Sequence, residues 1–416
     1  MESLLERLRS ARSPVVVVET DERVARTVAN RGFDVVFARD DEDAAEAGAI
    51  VLARAVVANG RDEENAALIL RARQMGFRGP MYALVEEPVH RKPMELAGAT
   101  AAYTPRHIVA AALAARASAR ISPRIGGAAR VPHLAVREMR LPLTSPLAGK
   151  TIGQINVGSS TGATIVGQWV TSELRTRCNR STRLEPGGIL VVIGETDAVA
   201  RAAQQLGAFV ADPDAPFIVA GFGEVGRKVH ELLTDAGERV RVIEKQPRNG
   251  VDLVGSVLDT SIIDEAGVAR SQGIILALDN DDVTLFAAVI LRDCAANVPI
   301  IARVNHARNV ENIHRAGADF ALSLAEISGQ MLSHQLLGDR LSPHAHLAVA
   351  HVEMPQLAGS RLANCDLRQR TGCSIVAVER GGQVIPHIDP SLLFEPGDRI
   401  YLCGKVEDVT KATERV

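Results

Sequence analysis

The run Phe217-Ile218-Val219-Ala220 is apolar at every position and stops at Gly221. A segment this short, apolar throughout and closed by glycine, predicts a strand buried on both faces, as in a parallel sheet. Similar runs follow at Arg239-Val240-Arg241-Val242-Ile243, Gly273-Ile274-Ile275-Leu276-Ala277, Pro299-Ile300-Ile301-Ala302-Arg303 and Phe320-Ala321-Leu322-Ser323. Helical stretches separate them, for example Val283 to Cys294 and Val310 to Ala316. Strands alternating with helices at this spacing predict an α/β fold with a doubly wound, Rossmann-like parallel sheet.

The pattern occurs twice. Leu147-Ala148-Gly149 returns as Leu357-Ala358-Gly359, Thr161 to Val166 as Thr371 to Val376, and Glu185-Pro186-Gly187 as Glu395-Pro396-Gly397, each 210 residues on. Upstream, Ala58 to Asp62 returns as Ala277 to Asp281 and Gly98-Ala99 as Gly317-Ala318, offset by 219, and Val15 to Glu19 matches Val240 to Glu244, offset by 225. Constant offsets over separate segments mean a duplicated pair of domains. The expected order is a first nucleotide-binding-type domain over 1–117, a linker over 118–133, a small α+β domain over 134–208, a second domain of the first type over 215–340, and a second small domain over 346–416. The small domains carry short β-branched runs, Ile189 to Ile193 and Arg399 to Leu402, each after a Glu-Pro-Gly turn. At ~70 residues neither can hold a large active site by itself.

Carried back, the offset of 225 sets Met1 against Gly226. The first domain is therefore expected to lack its first strand and glycine loop. A segment upstream of this sequence, an internal start and a sheet built without that strand all fit. The first fits best, because a sheet without its central strand leaves ladder groups unpaired and apolar surface exposed.

The chemistry concentrates in Gly221-Phe222-Gly223-Glu224-Val225-Gly226, which follows a strand and opens a helix. The first glycine permits the tight turn, the second lets a phosphate approach the backbone, and the third allows close helix–strand packing. Free N–H groups at the helix start face the pyrophosphate. Glu244 ends the next strand, followed by Lys245. A carboxylate there accepts from ribose hydroxyls and repels a 2′-phosphate, which favours NAD(H) or an adenine nucleotide over NADP(H). Asp279, Asn280, Asp281 and Asp282 come just after the next strand of the series, where they either face the ribose or a second ligand or cap a helix. Arg303 ends the strand after that and meets either a phosphate or the Asp cluster.

Composition narrows the alternatives. Aromatics make up 3% and the net charge is −3, which argues against nucleic acid as a partner. The five cysteines are scattered without a CxxC pair, which suggests a reducing compartment; Cys365 and Cys373 read as small core residues. No signal peptide opens the chain and no run reaches the ~18 apolar residues that span a bilayer. Asp40-Asp41-Glu42-Asp43 and Glu86-Glu87 are acidic clusters open to Ca²⁺ or another divalent ion, or simply solvated faces. His344, His346 and His351 lack a fourth ligand. Arg116, Arg120, Arg124 and Arg130 make the linker region basic, read as a solvated connector, with an anionic lipid or partner as the other reading. No nucleophile elbow is present, and His306 and His314 have no evident orienting carboxylate, so no catalytic residue is assigned.

The tandem order, with Gly221 to Gly226, Glu244, Ala277 to Asp282, Gly317-Ala318-Asp319 and the paired Leu-Ala-Gly and Glu-Pro-Gly signatures, resembles the RCK family, also known as KTN or TrkA-N plus TrkA-C. The resemblance implies a cytoplasmic, non-enzymatic regulator at the inner face of the membrane. It implies self-association into a gating ring that responds to NAD(H), ADP/ATP or Ca²⁺ and acts on a potassium channel pore or a transporter subunit, fused or separate. An NAD-dependent oxidoreductase and a nucleotide-sensing module of another cation transporter or antiporter stay open beside it.

Overall fold

The computed structural model describes residues 2–38, 49–121, 125–126, 134–142, 145–170, 173–208, 212–338, 347–365, 367–385 and 391–413. Two compact units result: the described residues of 1–112, 305–307 and 322–340 form one, and those of 113–304, 308–321 and 341–416 form the other.

The first unit opens with helix α1 (Glu2–Ser10) and strands β1 (Val16–Glu19), β2 (Asp34–Phe37), β3 (Val56–Ala58), β4 (Met81–Leu84) and β5 (Ala101–Tyr103). β1 and β2 pair in parallel as one sheet, and β3, β4 and β5 form a separate parallel sheet. The helix Asp62–Gln74 buries Ile69 and Ala72 against Ala58 and Ala83. α1 buries Leu4 and Leu8 with Tyr82, Leu84 and Leu332. Leu332 comes from the helix Leu324–Leu337, far along the chain. At Gly329 of that helix a Cβ would stand 2.8 Å from the Leu4 nitrogen and from Ser3. The two helices meet backbone to backbone, which only the absence of a side chain permits.

The second unit contains β6 (Ile125–Gly126), β7 (Leu134–Arg140), β8 (Thr164–Val170), β9 (Glu173–Arg175) and β10 (Ile189–Glu195), with β7-β10-β8-β9 an antiparallel sheet. The helix Thr196–Leu206 packs Val199, Ala202 and Leu206 onto it. Next come β11 (Phe217–Ala220), α2 (Glu224–Asp235), β12 (Val240–Glu244), β13 (Leu253–Val254), β14 (Gly273–Leu276), α3 (Asp281–Cys294), β15 (Ile300–Val304) and β16 (Phe320–Ser323). Their sheet has the order β13-β12-β11-β14-β15-β16. Residues of β11 and β14 are buried throughout, as expected for strands covered on both faces. β17 (Leu347–Glu353), β18 (Ser374–Arg380), β19 (Gln383–Ile385) and β20 (Arg399–Lys405) form the last sheet, ordered β19-β18-β20-β17-β6.

The internal repeat relates β1, β2, β3, β4 and β5 to β12, β13, β14, β15 and β16. The sheet order of the first unit is that of the six-stranded sheet divided at β11, which has no counterpart among the described residues.

Within the second unit, Arg116 of the helix Pro105–Ala117 lies 3.6 Å from the Phe320 ring centre and 5.0 Å from that of Trp169. It donates to Glu138 at 2.5 Å, and the Trp169 indole N–H donates to the same carboxylate at 2.9 Å. Arg116 is thus a packed strut rather than part of a solvated basic connector. Ser118 Oγ donates to Glu238 at 2.6 Å and Arg120 to the Gly237 carbonyl at 2.7 Å, so the expected linker is anchored where it begins. Arg124 and Arg130 lie outside the described residues. A second tie is buried: Asp319 accepts from Arg140 at 2.6 Å, from Arg292 at 2.7 Å and from the Ile300 N–H at 2.8 Å. Among the described residues, no helix is long and apolar enough to cross a membrane.

Candidate nucleotide site

β11 ends where Gly221 turns with φ of +92°, a left-handed conformation that glycine adopts without strain. A Cβ there would also press to 2.9 Å from the Ala277 carbonyl, and one on Gly226 would overlap the Gly221 carbonyl. At Gly223 the nearest atom to such a Cβ is Asp279 Oδ2 at 3.7 Å. The first and third glycines are therefore required by packing. The second keeps open the space over the start of α2, where Gly223 is the N-cap and supplies no side-chain cap. That is the cradle a phosphate needs: backbone amides at a helix N-terminus and no side chain in the way.

The loop opens on a cavity of about 210 Å³ lined by Gly221, Gly223, Glu244, Lys245, Asp279 and Asn280, with an apolar wall that includes Ile243, Val257, Leu278 and Val283. Glu244, at the end of β12, accepts from the Phe222 N–H at 2.7 Å and from the Gln246 N–H at 3.2 Å. Asn280 caps α3 by accepting from the Asp282 and Val283 amides at 2.8 and 3.0 Å. Asp281 accepts from Asn309 at 2.8 Å. Arg303 donates to Asp279 at 2.7 Å.

The structure thus brings six of the expected residues, Gly221, Gly223, Glu244, Lys245, Asp279 and Asn280, to one cavity, with Arg303 behind Asp279. Phe222 contributes its backbone; its ring is buried edge-on to His230. Val225 and Gly226 are buried in α2, and Glu224 is its first residue. Gly255 and Val257 also line the cavity and were not expected. They sit in the connection after β13, and no local motif marks them.

The other sequence candidates fall elsewhere. Asp62, the counterpart of Asp281, accepts from the amides of Glu86 and Glu87 and from His90 at 2.6 Å. Asp40 to Asp43, His344 and His346 lie outside the described residues. Among the described residues no group of three His, Cys, Asp or Glu is placed to hold a metal ion. His351 stacks on Tyr401 at 4.2 Å beside Glu379 on the face of the last sheet. Cys373 is buried, and burial pushes its thiol up to about 11.

The TrkA-N domain model matches residues 2–105 and 217–324, and the TrkA-C domain model matches 136–207 and 348–416. Potassium channel protein 1 of Methanocaldococcus jannaschii is 23% identical over 216 residues, 47% of this chain and 65% of that protein. The match thus spans somewhat less than two thirds of that relative's length. Ktr system potassium uptake protein C of Bacillus subtilis is 22% identical over 214 residues, 48% of this chain and 96% of that protein. Among solved structures, a GsuK channel bound to NAD shares 28% identity with a TM-score of 0.54, over 100% of this chain and 76% of that one. The GsuK RCK domain shares 27% with a TM-score of 0.55, over 99% and 92%.

Proposed function

Because this chain belongs to the RCK family of tandem TrkA-N and TrkA-C domains, we propose that it is a nucleotide-sensing regulator of potassium flux. The observation that carries the reading is that the Gly221–Gly226 loop and Glu244, bonded to each other through the Phe222 N–H, line one cavity. The amides at the start of α2 would receive the phosphates and Glu244 the ribose hydroxyls, with NAD(H) or ADP/ATP as the ligand. Likeness to a GsuK channel bound to NAD supports that choice.

Regulation needs no bond to break. A ligand shifts a conformational equilibrium only by its difference in affinity between two states. The protein would therefore act at the inner face of the membrane, associated with itself in a ring and with a potassium pore or transporter subunit. The relatives named for potassium transport support this partner class. Calorimetry with NADH, NAD⁺, ADP and ATP tests the reading: saturable binding that Gly223→Asp abolishes supports it, and binding that Gly223→Asp leaves unchanged refutes the site. Turnover of NAD⁺ with a substrate would favour the oxidoreductase instead.

A further inference from the structure

We propose that the first small domain carries a site for a free α-amino acid, held as its zwitterion between Arg201 and Glu195. The inference is independent of nucleotide binding. Its ground is a cavity of about 270 Å³ between the turn Ser159–Gly162 and Glu195, Ala198 and Arg201 at the start of the helix Thr196–Leu206. These last three are spaced three residues apart and form one stripe, with the two charged positions on the order of 9 Å apart along the helix axis and a methyl group between them. The opposite charges are held apart rather than paired. Glu195 makes no side-chain cap to the helix, and among the described residues it has no ion pair. Arg201 gives one bond, from Nη2 to the Thr161 carbonyl at 2.9 Å, and among the described residues no other.

The repeat shows what the space can hold. Gly162 and its counterpart Gly372 both turn with left-handed φ, +82° and +78°. The carbonyls of these glycines lie 3.5 Å from a Cβ placed on Gly194 and 3.3 Å from one placed on Gly404, so the two backbones match. The side chains do not. At the offset of 210, Ala198 corresponds to Asp408, Glu195 to Lys405 and Arg201 to Lys411. The Asp408 carboxylate covers Gly372, with Oδ2 2.5 Å from a Cβ placed there. In the second small domain a carboxylate of the chain itself takes this space, with a lysine three residues to either side. In the first, alanine leaves the space open and the flanking charges are of opposite sign.

That exchange defines the ligand. A carboxylate standing where Asp408 stands would meet the Arg201 guanidinium and the start of a helix, both of which favour an anion. A simple carboxylate would also be repelled by Glu195. An ammonium carried beside it turns that repulsion into a second ion pair. The cavity therefore selects a zwitterion over a plain acid or a plain amine, and its volume admits a small amino acid.

Calorimetry on the full chain titrates the common L-amino acids singly, with acetate and methylammonium as half-ligands. At least one amino acid should bind saturably, at least about tenfold more tightly than either half-ligand. Glu195→Gln should weaken that amino acid about tenfold and leave acetate no weaker. Ala198→Asp, which copies the second small domain, should abolish binding; Glu195 is exposed, so Glu195→Gln decides the matter if the buried aspartate prevents folding. Gly223→Asp should leave amino-acid binding intact, which separates this site from the nucleotide cavity. No amino acid bound, acetate bound as tightly as the amino acid, binding indifferent to Glu195→Gln, or binding lost in Gly223→Asp each overturns the proposal.

Discussion

Arg303 and Asp279 form one ion pair with opposite exposures: at 2.7 Å separation the arginine side chain is 9% exposed and the aspartate 83%. The buried cation belongs to β15, while its partner's Oδ2 is the nearest atom, at 3.7 Å, to a Cβ placed on Gly223. A phosphate arriving there meets a carboxylate first. Asp279→Asn should tighten NADH or ADP binding by about fivefold, the size of one screened like-charge contact, and Arg303→Gln should weaken it by a similar factor. Calorimetry on both variants decides it; an unchanged affinity for Asp279→Asn removes the repulsive role.

Glu244 is tied to the glycine loop through the Phe222 N–H. Glu244→Ala should lower NADH affinity about tenfold and erase discrimination against NADPH, since in the proposed site the carboxylate would supply both the ribose acceptor and the repulsion of a 2′-phosphate. Retained preference for NADH in this variant would place the discrimination elsewhere.

Asp319 neutralises two arginines while only 2% exposed. Burial lowers the affinity of Arg292 for its proton, and Asp319 opposes that. Asp319→Ala leaves both guanidinium groups uncompensated and should cost about 3–5 kcal/mol, read by denaturant unfolding. A loss below about 1 kcal/mol would mean that water reaches the network.

Gly329→Val places a branched side chain against Leu4 and Ser3, where a single carbon already sits at 2.8 Å. Separation of α1 from the helix Leu324–Leu337 should cost at least about 1–3 kcal/mol and lower the unfolding temperature; Gly329→Ala should cost less. Wild-type melting of the valine variant would show that the helices pack differently.

These two helices also show where sequence reasoning stops. Five strands of the second copy were legible as short runs rich in apolar residues, and the loop with Glu244 because its spacing is local, whereas β13, two residues long at Leu253–Val254, leaves no such run. The placement of Leu324–Leu337 in the first unit depends on contacts over 300 residues apart, as between Leu4 and Leu332, for which no window holds a signal. Arg116 looked like one of four linker cations because its aromatic partners, Trp169 and Phe320, are remote in sequence. Gly255 and Val257 enter the cavity by the path of the chain after β13, which periodicity does not describe.

Acid should loosen the last sheet. Arg380 holds the Asp398 carboxyl below its usual range by bonds of 2.7 and 2.8 Å. A lowered folded-state value means that the stabilisation is complete above the ordinary carboxylate range, near pH 4, and is lost as pH falls through the depressed value. Thermal unfolding between pH 7 and pH 3 should show a downward slope at the acid end that Arg380→Gln flattens. Identical slopes would exclude this pair.

Trp169 is the one tryptophan of the chain, and it lies beside the Arg116 guanidinium, edge-on to Phe320, with its N–H on Glu138. The molecule therefore carries a built-in optical probe at the junction of a helix end, the first small sheet and the edge of the nucleotide fold. Its emission comes from a single environment, with a cation on one side and a carboxylate on the indole nitrogen. Any rearrangement that parts these elements changes that emission, so motion at this junction can be followed in the unlabelled protein.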